Sequence, residues 1–240
     1  CPGAVTTQIA GMPSGSTFPV GTTENTFLVT DAYGNTAQCS FNVIVNDTEM
    51  PEISCPSDIA VNNDPGVCGA VVNYVTPVGT DNCPGSLTAR TGGLAGGSLF
   101  PVGITTVEYT VIDASGNSAN CSFTVTVTDI EDPVPVEDPL SDINSECSVT
   151  SLTAPTATDN CAGIITGTHN ATLPITTQGT TVVTWTYADG NGNIVTQTQN
   201  VVINDITSPA PDVIPLPDIA GECSATVTVT PTATDNCAGI

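Results

Sequence analysis

Apolar residues alternate with Thr and other polar residues over short stretches of this chain, and they do not recur at helical spacing. Phe123, Val125 and Val127, with Thr124 and Thr126 between them, are the clearest run; Phe41, Val43 and Val45 hold the corresponding places earlier. A period of two marks a half-buried strand. Strands are predicted near 57–61, 69–75, 87–91, 105–112 and 119–128. Asp31-Ala32-Tyr33-Gly34-Asn35 and Asp113-Ala114-Ser115-Gly116-Asn117 stand just before the two alternating runs, with Asp189-Gly190-Asn191-Gly192-Asn193 as a looser third copy. They read as hairpin turns in which Gly supplies a positive φ. The strands that follow end at Asp47, Asp129 and Asp205, each with a Pro a few residues on. Pro cannot continue a ladder, so these are joints between units.

The pattern is itself repeated. Thr-Asp-Asn-Cys occurs at Thr80 to Cys83, Thr158 to Cys161 and Thr234 to Cys237, with periods of 161−83 = 78 and 237−161 = 76 residues. Phe18-Pro19-Val20-Gly21 recurs as Phe100-Pro101-Val102-Gly103. The chain opens on Cys1-Pro2-Gly3, as after Thr80-Asp81-Asn82, and ends on Cys237-Ala238-Gly239-Ile240, as after Thr158-Asp159-Asn160. The expectation is a mature or internal piece of a longer tandem array. Its units are the C-terminal half of a repeat (1–47), two complete repeats (48–129 and 130–205) and an N-terminal half (206–240). Each complete unit has the size of a small seven-stranded sandwich.

Composition narrows the function. Apolar residues make up 39% and aromatics 4%, so the cores are thin and aliphatic. There are 24 acidic residues against one basic residue, Arg90, for a net charge of −23. Such a chain does not grip nucleic acid phosphates or an anionic membrane, and it favours solubility and cation binding. Charged residues are only 10% of the chain, which excludes a disordered acidic tail. No apolar run is long enough to span a bilayer. Ten cysteines in strand-rich text point to disulfides and a secreted, cell-surface protein. Zinc fits poorly, because no C-x-x-C pair is present and His169 is the single histidine.

Ile53-Ser54-Cys55-Pro56-Ser57-Asp58-Ile59, Gly66-Val67-Cys68, Asp81-Asn82-Cys83, Phe100-Pro101-Val102-Gly103, Tyr109-Thr110-Val111-Ile112-Asp113, Gly116-Asn117 and Cys121-Ser122-Phe123 together resemble the hyalin repeat (HYR) domain. The resemblance covers 48–129 and most of 1–47. The 130–205 unit and the tail look like divergent HYR-like repeats of large secreted surface adhesins of Bacteroidetes-type bacteria. It implies an all-β fold, immunoglobulin-like β-sandwiches in an extended array, and a part in extracellular adhesion.

The repeats can be read against one another. The 48–129 unit holds Cys55, Cys68, Cys83 and Cys121, whereas 130–205 holds only Cys147 and Cys161, with Pro139 and Gln197 in the places of Cys55 and Cys121. Two positions lost together suggest a Cys55–Cys121 bond. Cys68–Cys83, Cys147–Cys161 and Cys223–Cys237 are the other expected pairs, and Cys1 and Cys39 would have partners upstream. Bonds to a neighbouring repeat are the alternative; repeat symmetry favours pairs within one unit.

An up-and-down strand order would bring Asp47, Asp81 and Asp113 to one end of a repeat, and Asp129, Asp159 and Asp189 to the next. Glu49, Glu131 and Asp132 are close by in sequence. Several hard oxygen ligands from different loops are what Ca²⁺ takes, so calcium at the junctions is one expectation. The other is that these Asp residues cap turns through their own backbone amides. Nothing points to catalysis. His169 has no counterpart in other repeats and reads as an exposed loop residue. Gly92-Gly93-Leu94-Ala95-Gly96-Gly97 lacks a following Lys. Trp185 reads as core, and with Tyr187 it cannot build a sugar platform in every repeat. Asn46, Asn120 and Asn170 open N-x-S/T sequons, which carry little meaning in a bacterium.

The function expected is a non-catalytic stalk or filament segment, its partners being neighbouring repeats or lateral copies in a fibre. Alternatives are a module binding a glycan or protein directly, or accessory repeats of a larger secreted enzyme.

Overall fold

The computed structural model describes residues 3–227 and 230–237, and no helix occurs among them. Among those residues the chain is all-β, its strands gathered into six small sheets. It divides into two compact units: one of residues 1–59, 72–98 and 104–126, the other of 60–71, 99–103 and 127–240.

In the first unit, Val5–Ala10, Gly21–Thr30 and Thr36–Val45 form an antiparallel sheet in chain order. Gly21–Thr30 and Thr36–Val45 run in unbroken register from Gly21↔Val45 to Thr30↔Thr36. Asp31 closes that hairpin: its Oδ1 accepts the backbone N–H of Tyr33 (2.9 Å) and Asn35 (2.8 Å), and Gly34 takes φ +86°. Leu87–Gly92 pairs antiparallel with Gly103–Ile112. Along Gly103–Ile112 and Ser118–Thr128, Val107, Tyr109, Val111, Phe123 and Val125 are buried while most intervening residues are at least partly exposed. Period two is thus converted directly into an inner and an outer face. Tyr74 packs edge-on against Phe123 at 4.9 Å and donates its hydroxyl to Leu94 O (2.6 Å). That anchor holds the glycine-rich stretch, and burial pushes the Tyr74 hydroxyl up to about 12. Gly79 must be glycine, because a Cβ there would stand 2.6 Å from Val111.

In the second unit, Val134–Pro135, Thr156–Asp159 and Gly163–Thr166 make one sheet. Ile143–Ser145, Ile194–Ile203, Gly179–Ala188 and Thr168–His169 make another. Ile143–Ser145 joins it parallel to the end of Ile194–Ile203, the other pairs being antiparallel. The core contains Leu140, Val149, Ala157, Ile175, Val183, Trp185, Tyr187, Val201 and Ile203. Trp185 is fully buried, and His169 rests edge-on against it at 5.2 Å. Gly69–Val72 with Ser98–Pro101 forms a further two-stranded ladder. The second of these strands lies in a stretch with no alternating signal in the sequence. The Gly69–Val72 strand is also shorter than the 69–75 expected, ending where Gly97 N–H donates to Val72 O (2.8 Å).

Cys55 is bonded to Cys121, so the two positions missing together from 130–205 are the two that meet here. The other expected pairings are corrected. Cys68 is bonded to Cys161 and Cys147 to Cys237, across 93 and 90 residues. Among the described residues Cys83, Cys223 and the exposed Cys39 have no disulfide partner. Cys1 lies outside the described residues.

Candidate functional site

Three copies of one small assembly stand around Asp47, Asp129 and Asp205, the positions the sequence suggests as joints. It begins with a short pairing between the start of a repeat and its Thr-Asp-Asn-Cys turn: Glu52 bridges Thr80, Val134 pairs with Thr158, and Ala210 pairs with Thr234. A joint Asp stands five positions ahead of the first residue of each pair, and the turn Asp directly follows the Thr. The pairing therefore brings the two carboxylates together. Asp47, Asp81 and Cys83 offer ligand atoms within 4.8 Å of one another, as do Asp129, Asp159 and Cys161, and Asp205, Asp235 and Cys237. The third group follows from the third tetrapeptide copy, although only the first two were expected.

Each turn Asp aims the cysteine. Oδ1 of Asp81, Asp159 and Asp235 accepts the backbone N–H of Cys83 (2.7 Å), Cys161 (2.8 Å) and Cys237 (2.8 Å). The other oxygen of Asp81 and of Asp159 is buried and has no hydrogen-bond partner. An orphaned buried carboxylate oxygen is costly unless a donor or a cation meets it. Asp129 is 3% exposed; its oxygens accept from Glu131 N–H (3.2 Å) and the Asn191 side chain (2.9 Å).

Asp113 and Asp189, expected in these groups, stay outside them. Asp113 Oδ1 accepts from Ser115 N–H and Asn117 N–H, and Oδ2 accepts from the Asn117 side chain (2.8 Å). Asp189 is saturated in the same way by Asn191, Gly192 and Asn193. Burial works to raise both carboxyls, but the Asn117 and Asn193 side chains and the turn amides outweigh it and hold both below the ordinary range. The hairpin turn still reaches the joint, through Asn: Asn117 donates to Asp47 O (3.3 Å) and Asn193 to Asp129 O (3.4 Å). All six of these Asp residues cap backbone amides; Asp113 and Asp189 have both oxygens engaged within their turns, whereas Asp81 and Asp159 each keep a buried oxygen without a partner.

A separate cysteine-bearing loop docks beside each of the second and third groups. Asn63 donates to Val67 O (3.2 Å) and accepts from Ile130 N–H (3.1 Å), and Gly66 N–H donates to Glu131 (2.8 Å). These bonds lay the loop ending in Cys68 beside Cys161. Glu146 repeats the role: it accepts from Thr207 Oγ1 (3.0 Å) and from the Asn236 side chain (2.6 Å), next to the Cys147–Cys237 bond. Asn63, Glu131 and Glu146 carry no short-range signal for this docking, since the contacts that make it lie 61 to 90 residues apart. Burial pushes the Cys83 thiol up, helped by its hydrogen bond to Asp47 and by the charges of Asp47, Asp81 and Asp113. Glu131, Asp132, Thr158, Asp159 and Asn160 line an open cleft over the second group.

The HYR domain model matches residues 3–45 and 46–127. Hyalin of Strongylocentrotus purpuratus is 42% identical over 161 residues, which is 62% of this chain and 13% of that protein. Hyalin of Lytechinus variegatus is 35% identical over 210 residues, 81% of this chain and 39% of that protein. The sushi, von Willebrand factor type A, EGF and pentraxin domain-containing protein 1 of Rattus norvegicus is 31% identical over 197 residues, 76% of this chain and 6% of that protein. This chain thus spans well under two thirds of these relatives. All three are animal proteins, and they give no support to the bacterial setting expected from the sequence. The Protocadherin gammaB7 EC3-6 cis-dimer structure covers 84% of this chain and 62% of that chain at 15% identity, with a TM-score of 0.34, too loose a superposition to carry argument.

Proposed function

The chain belongs to the HYR domain family, and from that premise we propose that it is a non-catalytic spacer of an extracellular adhesion protein, a run of repeats that holds binding parts at a distance. It is an extracellular, adhesion-type repeat protein with internal disulfides. No helix among the described residues is long and apolar enough to cross a membrane. The repeats are taken as 1–47, 48–129, 130–205 and 206–240. The observation that carries the reading is the recurrence of one joint three times over, with a disulfide bridging two of its copies to a loop about 90 residues back. A spacer needs like joints in series, whereas a binding module needs one unlike the rest.

Calcium belongs to the same proposal. Asp47 with Asp81, and Asp129 with Asp159, would hold the ion. The two buried oxygens without partners are the features that fit it. The Cys161 and Cys237 sulfurs are taken by disulfides, so the ligands there are carboxylate, carbonyl and water oxygens. A bound cation would fix a joint by neutralising carboxylates that no Lys is present to balance.

Imaging the chain by electron microscopy with calcium and with a chelator tests both parts. Rods of end-to-end domains that become more bent on chelation are expected. A single globule under both conditions would end the spacer reading, and rods indifferent to the chelator would end the calcium reading alone.

A further inference from the structure

The bacterial setting that left the N-x-S/T sequons without meaning has no support among the relatives, which are animal proteins. The three sequons differ in setting. Asn120 lies inside the strand Ser118–Thr128, which has a neighbour on each side, and Cys121 between Asn120 and Ser122 is bonded to Cys55. Asn46 precedes Asp47, whose carboxylate belongs to the first acidic group. Asn170-Ala171-Thr172 leads out of the strand Thr168–His169 into a surface loop, which is where a sequon acceptor belongs. Asn170 and Thr172 are both exposed. Asn170 N–H donates to Thr184 O (3.2 Å), and Thr184 N–H donates to Asn170 Oδ1 (3.0 Å) in place of the Asn170 main-chain carbonyl. The side-chain oxygen thus finishes the ladder, and Nδ2 takes no part in it.

That ladder is short. Thr168–His169 covers only Trp185 and Thr186 of Gly179–Ala188, and Asn170 adds Thr184. Residues 179–183 have Ile194–Ile203 on one side and no strand on the other among the described residues. Thr180 and Val182 are exposed on this stretch. An open edge of Thr and Val is a template for pairing with another chain. The corresponding edge strand of the 48–129 unit, Leu87–Gly92, carries two safeguards, Arg90 and a shift of register between Arg90 and Gly92. Residues 179–183 have no charge, and their register with Ile194–Ile203 is unbroken.

We propose that Asn170 carries an N-linked oligosaccharide that covers this edge. The donor is a lipid-linked oligosaccharide pyrophosphate of the secretory pathway. Asn170 Nδ2 attacks the anomeric carbon of the first sugar. A C–N bond forms, the C–O bond to the pyrophosphate breaks with its electron pair, and one Nδ2 proton leaves with the pyrophosphate; nothing is oxidised or reduced. Nδ2 keeps one hydrogen and Oδ1 keeps its lone pairs, so the bond from Thr184 N–H survives. The proposal needs only the extracellular placement, so it and the spacer reading can fail separately.

The chain secreted from cultured animal cells should be mapped by mass spectrometry before and after treatment with peptide N-glycosidase. The Asn170 peptide should carry hexose and N-acetylhexosamine, and the enzyme should remove them and leave aspartate. Thr172→Val removes the sequon hydroxyl and leaves both Asn170–Thr184 bonds in place. Its peptide should lose the sugar, with Trp185 fluorescence reporting an intact core. In sedimentation velocity the wild type should stay monomeric, while Thr172→Val forms larger species. Adding Val182→Lys, a charge on the open edge, should return that variant to monomer. An unmodified Asn170, whatever Asn46 and Asn120 carry, would overturn the proposal. So would a folded Thr172→Val as monomeric as the wild type, or an association that Val182→Lys leaves unchanged.

Discussion

Cys68 and Cys161 are bonded to each other with Cα atoms 4.7 Å apart, although 93 residues separate them. Cys68 lies inside the segment 46–127 that matches the HYR model, and Cys161 lies beyond it. Cys161 lies in the turn between Thr156–Asp159 and Gly163–Thr166, so the bond ties a loop of the matched segment to a turn beyond it. Asn63 and Glu131 place that loop by hydrogen bonds before any covalent link is needed.

Replacing both cysteines by Ser therefore releases a long loop without adding a new free thiol. In the chain-entropy model a loop of this length contributes up to about 4.5 kcal/mol. Urea unfolding followed by the fluorescence of Trp185, the single Trp and fully buried, should show a markedly lower midpoint for the double variant. An unchanged midpoint would mean that the docked hydrogen bonds hold the joint unaided.

Gln197 stands in the place of Cys121 and does by hydrogen bonding what the disulfide does in the other repeat. Its side-chain amide donates to Glu137 O (2.7 Å) and Asp138 Oδ1 (3.0 Å), and its oxygen accepts the Tyr187 hydroxyl (2.8 Å). Cys121 clamps the strand Ser118–Thr128 to the segment holding Cys55, and Gln197 clamps Ile194–Ile203 to the segment before Pro139. Gln197→Ala leaves the buried Tyr187 hydroxyl unpaired, at a cost of about 1–3 kcal/mol. Thr198→Ala on the exposed face of the same strand should change the urea midpoint little, and equal effects from the two would refute the clamp.

The strands were legible because Thr alternating with Val or Phe admits only one pleated arrangement, as Phe123 to Val127 shows. Asp113 and Asp189 were legible as turn residues for the same local reason. The cysteine partners were not, because the spacing of Cys68 from Cys83 carries no information about which turn the loop faces. That choice is made by Asn63 and Glu131, through contacts more than 60 residues apart in the chain. Asp81 and Asp113 also look alike as letters. Only the hydrogen bonds separate an Asp consumed by its turn from one with a buried oxygen to spare.

The turn carboxylates set an acid limit. Asp189 and Asp113 have folded pKa values below the ordinary 3.8, so the unfolded chain binds more protons as pH falls. Their stabilisation is present above that ordinary value and is lost as pH drops through the folded values. Unfolding monitored at Trp185 should therefore need progressively less urea below about pH 4. Asp189→Asn should lower the midpoint at pH 7 and flatten its dependence between pH 4 and 2. A variant with the wild-type slope would show that other carboxylates set the limit.

Calcium gives the sharpest contrast between neighbouring acids. Without a cation, Asp129 and Asp159 repel each other, and Asp159→Asn relieves that repulsion, so the variant should equal or exceed the wild type in stability in a chelator. With calcium the order should reverse. Extracellular modules bind it at about 10⁻⁴–10⁻³ M, and a tenfold excess over such a constant adds about 1.4 kcal/mol per site. Millimolar calcium should raise the melting temperature of the wild type, and Asp159→Asn should lose the part of that rise that comes from its own joint. Asp189→Asn should keep the whole rise, because both Asp189 oxygens are already taken by Asn193 and the turn amides. Magnesium, which demands a tighter octahedral shell, should give a smaller rise. A melting temperature indifferent to calcium, or a response lost with Asp189 and kept without Asp159, would show that the paired carboxylates hold no ion.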